Sequence, residues 1–280
     1  MPPPSPPTST YVSPFQLRSV AVRNGIRLDT IVAPYRYADM SALETVVLLS
    51  GQLRLGQHFS LQARWGFDDN RVGNGDRNRT GFVNPSLGAT VAFPIGSLFR
   101  FAASTSVGLP LATGGGDGSD VDAAFLQRQG ALARSAMDNN AFAVNDLGFP
   151  TGLSLAFIHR GWTAQVDGTV IPSGRVKGTG NEGDNAKVNS TLGFFLGYLI
   201  VTEFSLGAEL RYQYYLLPPS IVDQDPSARD NLTVGAGARL HLEISDSTYV
   251  RPGLCLSTGL MGYVEQQSFR MVQFDIPVSF

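Results

Sequence analysis

The chain has a single cysteine, Cys255, so no internal disulfide framework can staple it. No run of about twenty apolar residues exists to form a transmembrane helix; the longest apolar patches, such as Val46 to Leu49, span a few residues. Neither charge sign dominates. The formal net charge is -2 and charged residues make up only 16% of the chain, which leaves no electrostatic footprint for nucleic acid. Three histidines, His58, His159 and His241, are too few and too scattered for a metal cluster, and no cofactor is expected. The opening MPPPSPPTST carries no basic region followed by an apolar core, so it is not an export signal; if the chain is exported, that signal has been removed.

What is present is alternation. The last thirteen residues, SFRMVQFDIPVSF, put Val272, Phe274, Ile276, Val278 and Phe280 at one parity and mostly polar residues at the other. Mean hydropathy is only +0.01 although 43% of residues are hydrophobic, and the 31 glycines suit tight turns and crowded walls. About twelve alternating segments follow Asn24, near 27–37, 43–56, 59–69, 81–95, 98–112, 147–159, 161–174, 188–200, 203–216, 230–243, 247–261 and 268–280. Their connections alternate between very short and long, apart from a short one at 38–42 where a long one is due.

Charge follows the same parity. In the ninth segment Phe204, Leu206, Ala208, Leu210, Tyr212 and Tyr214 alternate with Ser205, Glu209, Arg211 and Gln213. In the tenth, Leu232, Val234, Ala236, Ala238, Leu240 and Leu242 alternate with Thr233, Arg239, His241 and Glu243. In the third, Leu61, Ala63, Trp65 and Phe67 oppose Gln62, Arg64 and Asp68. The apolar parity carries charge only at segment ends, as at Arg36 and Arg270, where a long stem reaches the interface. A charge at mid-bilayer would cost about 2–4 kcal/mol. Phe93, Phe99, Phe157, Trp162, Phe204 and Phe280 fall beside the short turns, and Phe67, Tyr212 and Tyr214 toward the other rim, as two interfacial girdles would.

A chain ending on an aromatic residue after such a strand resembles bacterial outer-membrane barrels. The resemblance implies an all-β, closed antiparallel transmembrane barrel over 27–280, with short turns and both termini toward the periplasm, embedded in outer-membrane lipid and lipopolysaccharide. Residues 1–26 form a proline-rich tail that is periplasmic or enters the lumen. VNPSLGATVAFPIG and FRFAASTSVGLPLATGGG, with LPLATG from Leu109 to Gly114, resemble the strand–turn–strand pattern of the outer-membrane barrels of hydrocarbon and phenol degradation, a group similar to the long-chain fatty-acid channels. That likeness implies uptake of small, apolar or aromatic compounds.

The expected lumen follows from the inward parity. Arg64, Asp167, Glu209, Arg239, Arg251 and Asp275 form a charge-balanced belt, with Arg211 as a further inward residue of the lumen, read either as a constriction for neutral or zwitterionic solutes or as wall-tying ion pairs. Inward Gly193, Gly197, Gly207, Gly235, Gly237, Gly253 and Gly259 either leave open space or relieve crowding. The long connection 113–146 is expected to fold over or into the mouth, with Ser119 capping a helix whose one face carries Val121, Phe125, Leu132 and Ala136. Asp117, Asp120 and Asp122 are read as solvated loop rather than a calcium site. Pro110, Pro150 and Pro172, placed on neighbouring strands with Pro85 close by, mark bulges or a lateral gap in the wall.

The functional expectation is a passive channel for small solutes, with ligand-selective uptake and lateral release of hydrophobic compounds as the alternative, and a surface adhesin or anchor as a third. No enzyme is expected, because none of the three histidines lies where a lipid hydrolase would meet its substrate. The 26 residues before the first segment argue against an autotransporter translocator. The sequence sets no oligomeric state.

Overall fold

A computed structural model describes residues 11–73, 75, 77–116, 121–178 and 184–280. The strands are β1 (Gly25–Tyr37), β2 (Met40–Arg54), β3 (Phe59–Val72), β4 (Arg79–Phe82), β5 (Ser86–Ile95), β6 (Phe99–Gly108), β7 (Asp146–Gly148), β8 (Thr151–His159), β9 (Trp162–Arg175), β10 (Ala186–Val201), β11 (Phe204–Leu217), β12 (Asp230–Leu240), β13 (Leu242–Ser245), β14 (Thr248–Val250), β15 (Gly253–Gly262) and β16 (Arg270–Ser279). Four pairs, β4/β5, β7/β8, β12/β13 and β14/β15, are single staves broken by a local irregularity, so the wall has twelve staves. Each pairs antiparallel with its neighbours, and β1 pairs with β16 from Gly25↔Ser279 to Val32↔Val272, which closes the barrel and leaves no edge.

The alternation fixes which face each residue takes. Along β11, Leu206, Ala208 and Leu210 are exposed on the outside, while Ser205, Glu209, Arg211 and Gln213 are buried inside. The same division runs through β12, with Val234 and Ala236 outside and Thr233 and Arg239 inside. In a barrel with apolar side chains outward and buried carboxylates and guanidiniums inward, the outer surface is a lipid-facing band. Aromatic side chains pair at its borders: Phe99 with Phe157 (5.4 Å between ring centroids) and Trp162 with Tyr198 (4.5 Å) at the end carrying the termini, Trp65 with Phe82 (5.2 Å) at the other.

Turn chemistry accounts for the short first connection. Ala38 and Asp39 both have positive φ (46° and 66°), the two-residue geometry that matches strand twist, and Arg160–Gly161 repeats it at the opposite end. Prolines account for two of the four broken staves: Pro85 separates β4 from β5 and Pro150 separates β7 from β8. Pro110, expected on the fifth strand, lies beyond the end of β6 at Gly108, because the chain leaves the wall there to enter the long connection.

That connection turns into the barrel. It carries helix α1 (Val121–Ala133), which buries Ala123, Leu126, Gln127, Gln129, Gly130, Leu132 and Ala133 against the inner wall. The buried face differs from the expected one. Val121 is 65% exposed and Phe125 only partly buried, because Gly130 faces Asp68 of β3 and the Phe142 ring and sets the helix rotation. Ser119, Asp117 and Asp120 lie outside the described residues. Leu132, Ala133 and Phe142 from this loop pack with Ile31, Val46, Phe269 and Met271 into a dry cluster in the loop-side half of the lumen. Among the described residues, no helix is long and apolar enough to cross a membrane, and the strands do the spanning.

Candidate functional site: the lumen

The N-terminal segment enters the barrel from the end that carries the termini. Tyr11, Val12, Phe15, Leu17 and Val20 are all buried, and none belongs to a strand. The wall is shaped to receive them. A Cβ on Gly193 would collide first with Leu17; one on Gly197 would meet Phe195 and then Val12 at 2.9 Å, and ones on Gly237 and Gly253 would meet the neighbouring strand and also the Phe15 ring at 2.8 Å and 3.0 Å. The inward glycines of β10, β11, β12 and β15 therefore leave no open space: wall residues such as Phe195 and the tail fill it together. Gly235 faces Ser257 and Arg211, and Gly259 faces the backbone at Val264, so these two serve local packing instead.

Polar side chains of the wall then bind the tail's backbone, whose groups would otherwise be buried without partners. Glu209 accepts the backbone N–H of Phe15 and of Gln16 (3.1 Å for the latter). Gln273 donates to the Phe15 carbonyl at 2.9 Å, and Arg27 donates to the same oxygen. The Arg239 guanidinium lies 4.8 Å over the Phe15 ring and donates to the Pro14 carbonyl at 3.4 Å. Further along, Tyr11 donates to Gln165 (2.8 Å), the Thr163 hydroxyl accepts from Val12 N–H (3.0 Å), and Gln165 donates to the Arg18 carbonyl (2.6 Å).

The seven expected lumen residues are distributed as follows. Arg239 and Asp275 meet at 3.0 Å across Gly253, which pairs with both of them and has no side chain to intervene. Asp275 also receives Arg27 at 3.0 Å. Glu209 and Arg211 pair at 2.8 Å, and Arg211 continues to the Ser135 hydroxyl at 2.8 Å, joining the wall to the inserted loop. Asp167 accepts a hydrogen bond from Ser154. Arg251 donates to Ser279 at 2.9 Å. Arg64 is drawn to the loop, where it meets Asp138 at 2.8 Å. Arg134, Asp138, Arg18 and Gln16 escaped sequence reading because their segments show no strand periodicity. The visible signal was the match between a glycine-rich inward face and an apolar tail of similar length.

Loop and wall are held by a charged relay. Arg134 bridges Asp138 (2.6 Å) and Asp29 (2.8 Å), while Arg64 takes the other oxygen of Asp138. Burial would raise the Asp138 pKa, but Arg64 and Arg134 outweigh it and hold the carboxyl well below its usual range.

Between this loop, the tail and the β1–β6 wall remains a polar cavity of about 230 Å3. Its lining includes Arg18, Arg23, Arg27, Arg64 and Arg134, with Asp29, Asp138 and the hydroxyls and amides of Ser50, Gln52, Gln62 and Ser104. It is below the roughly 300–1,000 Å3 of pockets that hold drug-sized ligands.

The wall is hydrogen-bonded across the prolines. Ser106 N–H donates to the Pro150 carbonyl, Phe149 N–H to the Pro172 carbonyl and Leu109 N–H to the Pro85 carbonyl, each at 2.9 Å. Pro110 lies past the ladder, and its carbonyl accepts from Lys177 at 2.8 Å. Among the described residues the ladder is thus hydrogen-bonded beside Pro150 and Pro172, where the sequence allows either a bulge or a lateral gap, and Pro110 stands outside it.

No protein-family model and no curated protein matches this sequence. Among solved structures the chain is similar to the NanC porin, at 8% identity and TM-score 0.51, over 90% of this chain and 98% of that one. It is also similar to the β domain of the Bordetella autotransporter BrkA, at 12% identity and TM-score 0.50, over 92% and 100%. LpxR from Salmonella typhimurium aligns over 91% and 100% at 11% identity and TM-score 0.47. At such identities the likeness establishes architecture alone: the chain has the fold of a bacterial outer-membrane barrel with twelve antiparallel strands.

Proposed function

We propose that the protein is an outer-membrane channel for small solutes, with a lumen narrowed by its own tail at one end and by the loop carrying α1 at the other. The observation that carries this reading is the cavity of about 230 Å3. It is lined by hydroxyl, amide and guanidinium groups, inside a wall whose outer face is apolar. A barrel that served only as an anchor would need no such polar interior, and twelve staves enclose more room than eight. The NanC porin shares the architecture, which is compatible with conduction but does not carry the argument. The alternative, selective uptake of hydrophobic compounds with sideways release, draws on the LPLATG resemblance and on the prolines Pro110, Pro150 and Pro172. The polar lining and the unbroken ladder lend it no support.

Planar-bilayer recording of the refolded barrel tests the proposal. Steady conductance in the full chain, rising when residues 1–17 are removed, is expected. A barrel that migrates as folded yet passes no current with or without the tail refutes it.

A further inference from the structure

The charges around the cavity do not cancel, and the excess comes from the tail. Arg27, Arg64 and Arg134 are each in ion pairs, together satisfied by Asp29, Asp138 and Asp275. Arg18 and Arg23, which the tail brings in, form no ion pair with a described carboxylate. Arg251 on the wall nearby forms none either and is held by the Ser279 hydroxyl. Against these three stands Asp167, which Ser154 hydrogen-bonds and which interacts electrostatically with Arg18 without closing an ion pair, while the buried Glu44 and Asp68, also without ion pairs, lie outside the cavity lining.

Arg18 is fixed rather than free to swing away. Its guanidinium donates to Thr169 at 2.6 Å, it occupies the space beside Gly152 that a side chain there would fill, and its carbonyl is bound by Gln165. Arg23 sits among positive charges. Burial first, then Arg251, Arg239 and Arg27, lower its pKa to about 10, so it stays cationic at neutral pH. With no described carboxylate facing Arg23 and only Asp167 facing Arg18, the guanidiniums around the cavity raise the local concentration of negative solutes and repel positive ones.

We infer that the tail is the charge filter of this lumen, and that Arg18 and Arg23 make the cavity selective for small anions such as carboxylates. This inference rests on the channel reading above and adds the solute's charge and the residues that choose it. It replaces the balanced belt expected from the wall alone: Arg64, Glu209, Arg211, Arg239 and Asp275 are taken up in pairs within the wall and with the loop, and the selective charge arrives on a segment outside the barrel strands.

The test is the reversal potential of single channels across a KCl gradient. The wild type is expected to favour chloride over potassium. R18Q/R23Q should lose that preference while still conducting, and R18K/R23K, which keeps the charge, should retain it. A wild-type channel that conducts without anion preference, or an R18Q/R23Q channel as anion-selective as the wild type, overturns the inference and leaves the channel reading standing. Absence of current in both the full chain and the tail-less barrel overturns the channel reading itself. Heat-modifiable gel mobility checks that each variant is folded.

Discussion

Around Phe15 the lumen is narrowed by contacts from five staves: the Arg239 guanidinium over its ring, Glu209 on its N–H, Gln273 and Arg27 on its carbonyl, and bare glycines at Gly237 and Gly253. Two predictions belong at this scale. In Gly193→Val the added side chain meets Leu17 first, so the tail should be displaced. The variant should show higher conductance and faster protease cleavage before residue 25, and unchanged conductance would mean the tail does not obstruct the lumen. Glu209→Gln removes the charge that faces the fully buried Arg211 at 2.8 Å. Breaking one half of a buried pair costs about 3–5 kcal/mol. Unfolding in denaturant should therefore move to clearly lower concentration, and a midpoint equal to the wild type's would show that the pair contributes nothing.

The loop is an element held by charge on one side and by apolar packing on the other. Leu132, Ala133 and Phe142 pack into the inner apolar cluster, while Asp138 joins Arg134 and Arg64. Because the folded Asp138 pKa is depressed by these arginines below its unfolded value of about 3.9, its contribution is fully present above that value. It is lost only as pH falls through the lower folded value. Asp138→Asn should remove it at neutral pH, loosening the loop and raising conductance there, whereas wild-type conductance should stay flat from neutral pH down to about 4. A wild-type channel that opens already near neutral pH would show that another group governs the loop. At the same scale, α1 illustrates why a helical face is hard to assign from an isolated sequence. Val121 and Phe125 are more apolar than Gln127 and Gln129, yet the glutamines are buried, and Gln127 donates there to Asp68 and to the Phe82 carbonyl rather than facing a hydrocarbon core.

For the whole molecule, the division between outer and inner faces predicts how the barrel depends on lipid. Leu192, in mid-strand on β10, is 54% exposed on the outer surface. Leu192→Arg places a charge in the hydrocarbon layer and should cost about 2–4 kcal/mol of stability in bilayers. Folding titrations of the two proteins in vesicles measure it, and equal stability would mean this face does not contact lipid. The neighbouring inward position, Thr191, faces the lumen, where the penalty for a polar substitution should be much smaller.

Alternation of period two was enough to specify the barrel: strand count, closure, outward face and the inward placement of Arg64, Glu209, Arg211, Arg239 and Asp275 are all legible in the chain, because a strand side chain can point only to one face or the other. Which of those inward groups would meet, and what would lie between them, was not legible. Arg239 reaches Asp275 because Gly253 separates them in a register set by the closed sheet, and Arg64 finds Asp138 because a loop of more than thirty residues turns inward. The tail has no periodicity of its own and acquires its conformation from the wall's glycines and backbone-binding side chains. Its place, and with it the charge of the lumen, was decided only when twelve staves had closed into a cavity that needed filling.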